Sequence, residues 1–530
     1  MGLAADIDVS RQMRQEGRDI PWLLAQWAER TPDKPFLIWE PFDDTAQTWT
    51  YADLYREVKS VAGYLHANGV AKGDRVLVHL DNCPEFVITW FACARVGAVA
   101  VSTNTRSVAR DMLYFAEHAG VVAAITQPCF AELVRDTAPM IKFLAITNND
   151  AGKAADVPAG VDHVPFQALR DHGEDCPARP TEPMANLGIQ FTSGTTSRPK
   201  AVLWTHANAI WGAELNALHM KLVHDDITQT FMPIFHTNAQ SYSMLGSMWV
   251  GGTMVLQPKF SASRFWDVAV RNKCTWASQI PFSLKAVLQQ PIPDDHSFRF
   301  WGAGARLMDA EKLCGIKTIG WWGMTETITQ GIVGDVDFPG PDLSIGRVSM
   351  GYEILVKHQE EDRPIRPGER GHLFVRGVRG VSLFKEYFGN PEANEKAFDA
   401  DGWFDTGDLI RMDEDGNLFF GDRDKDMLKI GAENVAASEI ETVIMETGLV
   451  DECAVVAQKH YMLDEVPVVF VTTPGPAPDD LKEQLIATCQ ENLADFKVVR
   501  DVIHIDEFPR STLEKIAKAE LRKRLPAIEA

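Results

Sequence analysis

Through its front four-fifths the chain alternates short apolar runs with longer stretches of helical periodicity. Residues 75–80 (RVLVHL) read as a buried strand, 85–96 as a helix, 98–101 as a strand, 106–118 as a helix and 121–126 as a strand. The same order recurs downstream, with strand 253–256, helix 261–273 and strand 275–279. Strands joined by helix-length crossovers pair in parallel, and helices then cover the sheet. The rhythm therefore predicts an α/β fold of layered subdomains. A length of 530 residues exceeds the ~250–300 that one core can serve, so roughly two to four structural units are expected.

The rhythm breaks in three places. Residues 151–183 are rich in Pro, Gly and Asp and read as a surface connection between subdomains. From residue 368 (GERGHLFVRG) short strands with glycine turns suggest a small β unit. From residue 424 a separate, mobile α+β domain is expected, with strands at 452–458 and 466–472. Its helix 481–493 places Leu481, Leu485, Cys489 and Leu493 on one face, and Leu513, Ala517, Leu521 and Leu525 repeat that spacing in a final helix. The charged stretch GDRDKDMLKIG (421–431) is the boundary and a candidate hinge. The division is thus a large domain, 1–423, and a small C-terminal lid, 424–530.

Composition excludes several functions. With 52 basic against 74 acidic residues the net charge is −22, which gains nothing from nucleic acid or anionic lipid. No nucleic-acid partner is expected. Eight cysteines are scattered without C-x-x-C spacing, so neither a zinc site nor a redox motif is indicated, and free thiols fit a reducing compartment. The start of the chain lacks an apolar signal-peptide core. The most apolar run, 86–101, is too short for a membrane span and contains Arg95, so it reads as a core helix followed by a strand. A cytoplasmic protein without an integral membrane segment is expected.

The strongest chemical signal is FTSGTTSRPK (191–200), which follows a strand-like run. Thr192, Ser193, Thr195, Thr196 and Ser197 supply hydroxyls, and Gly194 permits a tight turn. Arg198 and Lys200 supply positive charge. Hydroxyls and backbone N–H groups can donate to phosphate oxygens, and the cations can neutralise a triphosphate. A lone Gly-Thr-Thr would read as an ordinary surface turn; the cationic tail after a strand is rarer. The G-x-x-x-x-G-K-[ST] pattern of P-loop ATPases is absent.

This loop resembles the phosphate loop of the adenylate-forming superfamily, which includes acyl-CoA synthetases, peptide-synthetase adenylation domains and beetle luciferases. Further stretches resemble that family's motifs in order. GAGAR (302–306) is similar to its adenine loop, which implies contacts from Gly302, Ala303 and Gly304. GWWGMTET (320–327) is similar to its Y-G-M-T-E stretch. There the resemblance implies that Trp322 stacks on adenine beside Gly323, Thr325 meets the α-phosphate and Glu326 ligates magnesium (Mg2+). GWFDTGDL (402–409) implies that Asp408 binds the ribose hydroxyls, joined by Arg423. Lys425 falls at the hinge and Gly431 at the loop that lines the coenzyme A channel. His236 in FMPIFHTNA resembles the residue that gates the acyl pocket. Lys515 in PRSTLEK resembles the catalytic C-terminal lysine. The substrates implied are ATP, coenzyme A and a small-molecule carboxylic acid, and a homodimer is the assembly common among stand-alone relatives. Three departures are Glu514, Ala201 and Ala432, each where the family has glycine.

The resemblance implies two half-reactions, acyl-adenylate formation and transfer of the acyl group to a thiol, with rotation of the small domain between them. FSASRFW (260–266), SIGRV (344–348) and FKEYFGNPEA (384–393) are similar to the bacterial crotonobetaine/carnitine–CoA ligases. A carnitine-like acid is one reading. A fatty, aryl or steroid acid, a carrier protein loaded in trans, luciferase-like oxidation and a nucleotide-binding regulator stay as alternatives.

Overall fold

The computed structural model describes residues 15–43, 45–192, 199–359, 361–423, 427–431, 433–509, 516 and 518–529; at 421–423, 427, 434, 438 and 519 it describes the backbone alone. The large domain is built on two broad sheets and one small one. A nine-stranded sheet runs in the order Arg347–Val348, Gln330–Val333, Lys317–Gly323, Phe300–Ala303, Trp276–Ser278, Ile227–Thr230, Thr253–Leu256, Pro35–Trp39 and Gln47–Thr50. Its central strands pair in parallel and its margins are antiparallel. An eight-stranded sheet runs Glu386–Tyr387, Lys200–Thr205, Asn186–Thr192, Val99–Ser102, Arg75–His79, Val121–Thr126, Leu144–Ile146 and Val164–Pro165. The predicted α/β alternation is present, because buried β-branched runs pair in parallel only when helices cover both faces.

Helices of the large domain lie between and around the sheets. Pro84–Val96, the most apolar stretch of the sequence, is buried along almost its whole circumference, and only Arg95 reaches outward. Its guanidinium pairs with Asp175, Nε to Oδ1 at 2.7 Å. The run is a core helix capped by Gly97 at φ 85°, followed by strand Val99–Ser102. Among the described residues no helix is long and apolar enough to cross a membrane.

The small β unit is a four-stranded antiparallel sheet of Glu353–His358, Arg370–Arg376, Phe404–Met412 and Leu418–Arg423. The C-terminal domain has its own sheet, Glu433–Ala436, Met427–Ile430, Asp464–Thr472 and Glu452–His460, with Asp501–His504 added in parallel. Helix Leu481–Asn492 packs Leu485 and Cys489 into a separate apolar core. This part therefore has an apolar core of its own.

Three sequence expectations need correction. The stretch 151–183 is no loose connection: strand Val164–Pro165 extends the eight-stranded sheet, and helix Phe166–Arg170 buries Phe166 and Leu169 in the main core. Elements of two and five residues are too short to show a period. The helix expected from 106 starts at Ala109, because Asn104 accepts from the Arg106 N–H (2.9 Å) through its side chain and from the Ser107 N–H (3.0 Å) through its carbonyl. That turn competes with helix. Among the described residues the final helix spans Lys518–Arg522: Leu521 is buried, Leu525 lies past its end, and Leu513 and Ala517 lie outside the described residues.

Candidate active site

The residues with chemistry collect where parallel strands end, the usual place for ligands in an open α/β sheet. Strand Asn186–Thr192 ends at Thr192, and its partner Lys200–Thr205 starts opposite, with Thr192 in register with Lys200. The hairpin thus holds both ends of the predicted phosphate loop. Ser193, Gly194, Thr195, Thr196 and Ser197 themselves lie outside the described residues, as do Lys425 and Lys515. Lys200 Nζ stands 4.6 Å from the centroid of the Tyr387 ring.

Strand Lys317–Gly323 leads into a short 3-10 turn, Thr325–Thr327. Thr325 is pinned by its carbonyl, which accepts from the Trp204 indole N–H at 2.9 Å. Its hydroxyl is 3.2 Å from that of Thr237, which lies 2.8 Å from Gln190 Oε1. Gln190 in turn donates to Gln240 at 2.8 Å. Two hydroxyls from different elements are thereby presented together beside strand Asn186–Thr192.

Glu326 follows and is buried, 4% exposed. Burial raises its pKa above the ordinary carboxylate value, and hydrogen bonds and the Lys200 charge only partly offset this. The Tyr387 hydroxyl donates to Oε1 at 3.0 Å. A magnesium ion with phosphate and water ligands needs one or two carboxylates rather than a full protein cage. Glu326, buried beside Lys200 and Tyr387, fits that use.

On the opposite side of the strand, the Trp322 indole N–H donates to Asp408 Oδ2 at 2.8 Å. Both side chains are buried. Asp408 is in register with Arg423 on the neighbouring strand, whose side chain is outside the described residues. Gly302 and Ala303 close strand Phe300–Ala303, and the Gln279 N–H donates to the Gly302 carbonyl at 2.8 Å. Gly304 follows in the open turn that leads to Arg306. Trp322, Asp408, Gly323 and Gly302–Gly304 are thus brought to one region, and Thr325, Glu326 and Lys200 to its edge.

His236 sits at the start of a stretch of π-helix, Asn238–Leu245, in the large domain. Its partner comes from the small domain: Nε2 lies 3.2 Å from Glu433 Oε1, which also accepts from Asn104 Nδ2 at 3.0 Å. Burial alone would lower the His236 pKa, but the Glu433 charge reverses this and leaves it raised. Burial would raise that of Glu433, but His236, Arg106 and Asn104 hold it below the ordinary value. Gly431, two residues earlier and at φ 62°, is held by its N–H donating to the Leu463 carbonyl at 2.7 Å. The loop expected to line the thiol channel therefore stands against the large-domain centre.

The AMP-binding enzyme model matches residues 24–388, and the model of the AMP-binding enzyme C-terminal domain matches 439–515. The chain belongs to the AMP-binding enzyme family. A crotonobetaine/carnitine–CoA ligase of Salmonella paratyphi B is 34% identical over 508 residues, 92% of this chain and 96% of its own. A double mutant of Bacillus subtilis o-succinylbenzoate CoA synthetase, bound with the product analogue OSB-NCoA, superimposes with a TM-score of 0.82 at 27% identity, covering 94% of this chain and 97% of its own. The same synthetase in complex with AMP gives 0.67 at 27% identity, over 96% and 98%. This family member is an ATP-dependent acyl-CoA synthetase with a large N-terminal and a small C-terminal domain.

Reasoning from sequence missed Tyr387, Gln190, Asn104 and Glu433. Tyr387 lay inside FKEYFGNPEA, a stretch matched for kinship and not for chemistry. Glu433 carried no local signal, since its partner is 197 residues away.

Proposed function

We propose that this synthetase activates a small carboxylic acid, carnitine- or crotonobetaine-like, with Mg·ATP and passes the acyl group to coenzyme A. Trp322 and Gly302–Gly304 hold the adenine, and Asp408 accepts from the ribose hydroxyls, with Arg423 as a donor beside it. The loop 192–200, ending in Lys200, takes the β- and γ-phosphates. The Thr325 and Thr237 hydroxyls flank the α-phosphate. Glu326 holds the magnesium ion, which supplies charge neutralisation for the phosphates. The acid's carboxylate oxygen bonds to the α-phosphorus and the bond to the pyrophosphate oxygen breaks. Hydroxyl donors set in place before reaction stabilise the charge that gathers there. Lys515 serves this step from the small domain. In the second step the sulfur of coenzyme A bonds to the acyl carbon, the bond to the phosphate oxygen breaks and AMP leaves, while the thiol proton is lost to solvent.

The observation that carries the thiol step is the Glu433 contact with His236 and Asn104, which seats the Gly431 loop at the centre. The chain as a whole superimposes on the product-analogue complex of the related synthetase with a TM-score of 0.82, against 0.67 for its AMP complex, which supports this reading. Lys425 is then the hinge residue about which the lid turns. The carnitine-like acid is supported by kinship at 34% identity.

The test is acid-dependent pyrophosphate release with and without coenzyme A, over carnitine, crotonobetaine, γ-butyrobetaine, fatty, aryl and steroid acids. Release with the betaines and a thioester product only with coenzyme A supports the reading. Release with aryl or fatty acids alone contradicts the substrate, and release unaffected by coenzyme A contradicts the acceptor.

A further inference from the structure

The turn that carries Thr325 and Glu326 ends in a strained backbone. Ile328 has φ 65° and ψ −46°, and the Thr329 N–H donates back across it to the Thr327 carbonyl at 2.6 Å. That closes a γ-turn of the rare kind, with its central residue on the left-handed side. A β-branched residue is among the least tolerant of positive φ, so the conformation persists only where the surroundings over-determine it.

Here they do. Ile328 is fully buried, in one apolar cluster with Val202, Trp204, Phe384, Tyr387 and Phe404. Helix His206–His219 comes down on it at Gly212, where a Cβ would lie 3.0 Å from Ile328 Cγ2. The three carbonyls that precede Ile328 are each tied to a different donor. That of Thr325 accepts from the Trp204 indole at 2.9 Å, that of Glu326 from the Phe384 N–H at 2.9 Å, and that of Thr327 from the Tyr352 hydroxyl at 2.6 Å as well as from Thr329. Two of those donors, Trp204 and Phe384, belong to the cluster that holds the Ile328 side chain. The side chain and the carbonyls are thus anchored to the same residues, and the chain leaves the turn in register for Gln330 to pair with Gly323.

We infer that Ile328 is a positioning residue for the adenylation centre: its buried side chain holds the strained γ-turn that sets the directions of the Thr325 hydroxyl and the Glu326 carboxylate. The inference rests on the acyl-CoA synthetase reading, which gives those two side chains the α-phosphate and the magnesium ion. Outer residues that orient a metal ligand matter because a ligand free to turn binds the metal more weakly.

The magnesium dependence of ATP binding is measured by calorimetry without any acid, beside adenosine binding without magnesium, for wild type, Ile328→Val and Ile328→Gly. Glycine takes positive φ without strain but has no side chain to lock the turn, whereas valine keeps a β-branched plug. Ile328→Val should stay within about twofold of wild type, and Ile328→Gly should raise the half-saturating magnesium concentration about tenfold or more. Adenosine affinity should stay within about twofold in both, since adenosine meets neither Thr325 nor Glu326. Should Ile328→Gly fail to fold, Ile328→Ala takes its place, with a rise of about threefold or more. A wild-type magnesium dependence in the folded glycine or alanine variant, an equal loss of adenosine affinity, or ATP binding by wild type that ignores magnesium would each overturn the inference. Failure of the synthetase reading looks different: wild type binds ATP with magnesium but releases no pyrophosphate with any acid of the panel, and the comparison of Ile328 variants is then decided by binding alone.

Discussion

At the scale of single residues, the proposed nucleotide site turns on Asp408, a buried carboxylate that accepts from the Trp322 indole at 2.8 Å. Hydrogen bonds to a charged group contribute ~1.5–3 kcal/mol each, so Asp408→Ala should lower kcat/KM for ATP at least about tenfold to a hundredfold. Trp322→Phe keeps an aromatic face and loses only the N–H, so its loss in the same assay should be several-fold smaller than that of Asp408→Ala. Tyr387→Phe removes the donor to Glu326 and leaves the ring under Lys200. A magnesium titration of pyrophosphate release should then show a higher half-saturating concentration with the thermal midpoint little changed; an unchanged titration contradicts the placement. Asp408, Trp322 and Glu326 were legible in the sequence because their neighbours form a contiguous pattern. Tyr387 was not, because it acts through a contact with a residue 61 positions away.

At the scale of elements, the alternation that predicts parallel strands survives because each strand is a short apolar run bounded by a helix. Pro84–Val96 shows why one charge decided its reading: Arg95 reaches Asp175 at the surface while the rest packs between layers. Boundaries were legible only where the period is long, and the 151–183 stretch was misread because its strand and helix are too short to declare themselves. The contact of Glu433, next to the Gly431 loop, with His236 is an electrostatic one with a sign. His236, raised by Glu433, keeps the contact below its own pKa and releases it as the pH climbs through that raised value. Glu433, depressed by His236, keeps it above its own low pKa and releases it only in acid. The domain contact should therefore hold from mildly acidic to neutral pH and loosen on the alkaline side of the ordinary histidine range. Fluorescence transfer between dyes on the two domains reads this directly. Glu433→Gln should flatten the alkaline transition, and a transition that persists unchanged in that variant would contradict the pair as its source.

At the scale of the whole molecule, two bodies with separate cores meet over a charged seam. Arg106 pairs with Asp495 at 2.5 Å and lies 4.3 Å from the Phe496 ring centroid, and Arg110 pairs with Glu446 at 2.9 Å. These pairs are solvent-exposed, so each contributes only ~0–1 kcal/mol and is screened by salt. Raising ionic strength should shift the same fluorescence signal toward the open arrangement, and Arg106→Ala with Arg110→Ala should reduce that salt response. Weak exposed pairs at the rim suit a lid that has to swing between two steps at one centre. The most direct test separates the half-reactions in Glu433→Ala. Acid-dependent exchange of pyrophosphate into ATP should stay close to wild type, while thioester formation from supplied acyl-adenylate and coenzyme A falls about tenfold or more, the usual cost of removing one partner of a partly buried charged contact. Equal loss in both half-reactions, or loss of exchange alone, would contradict the claim.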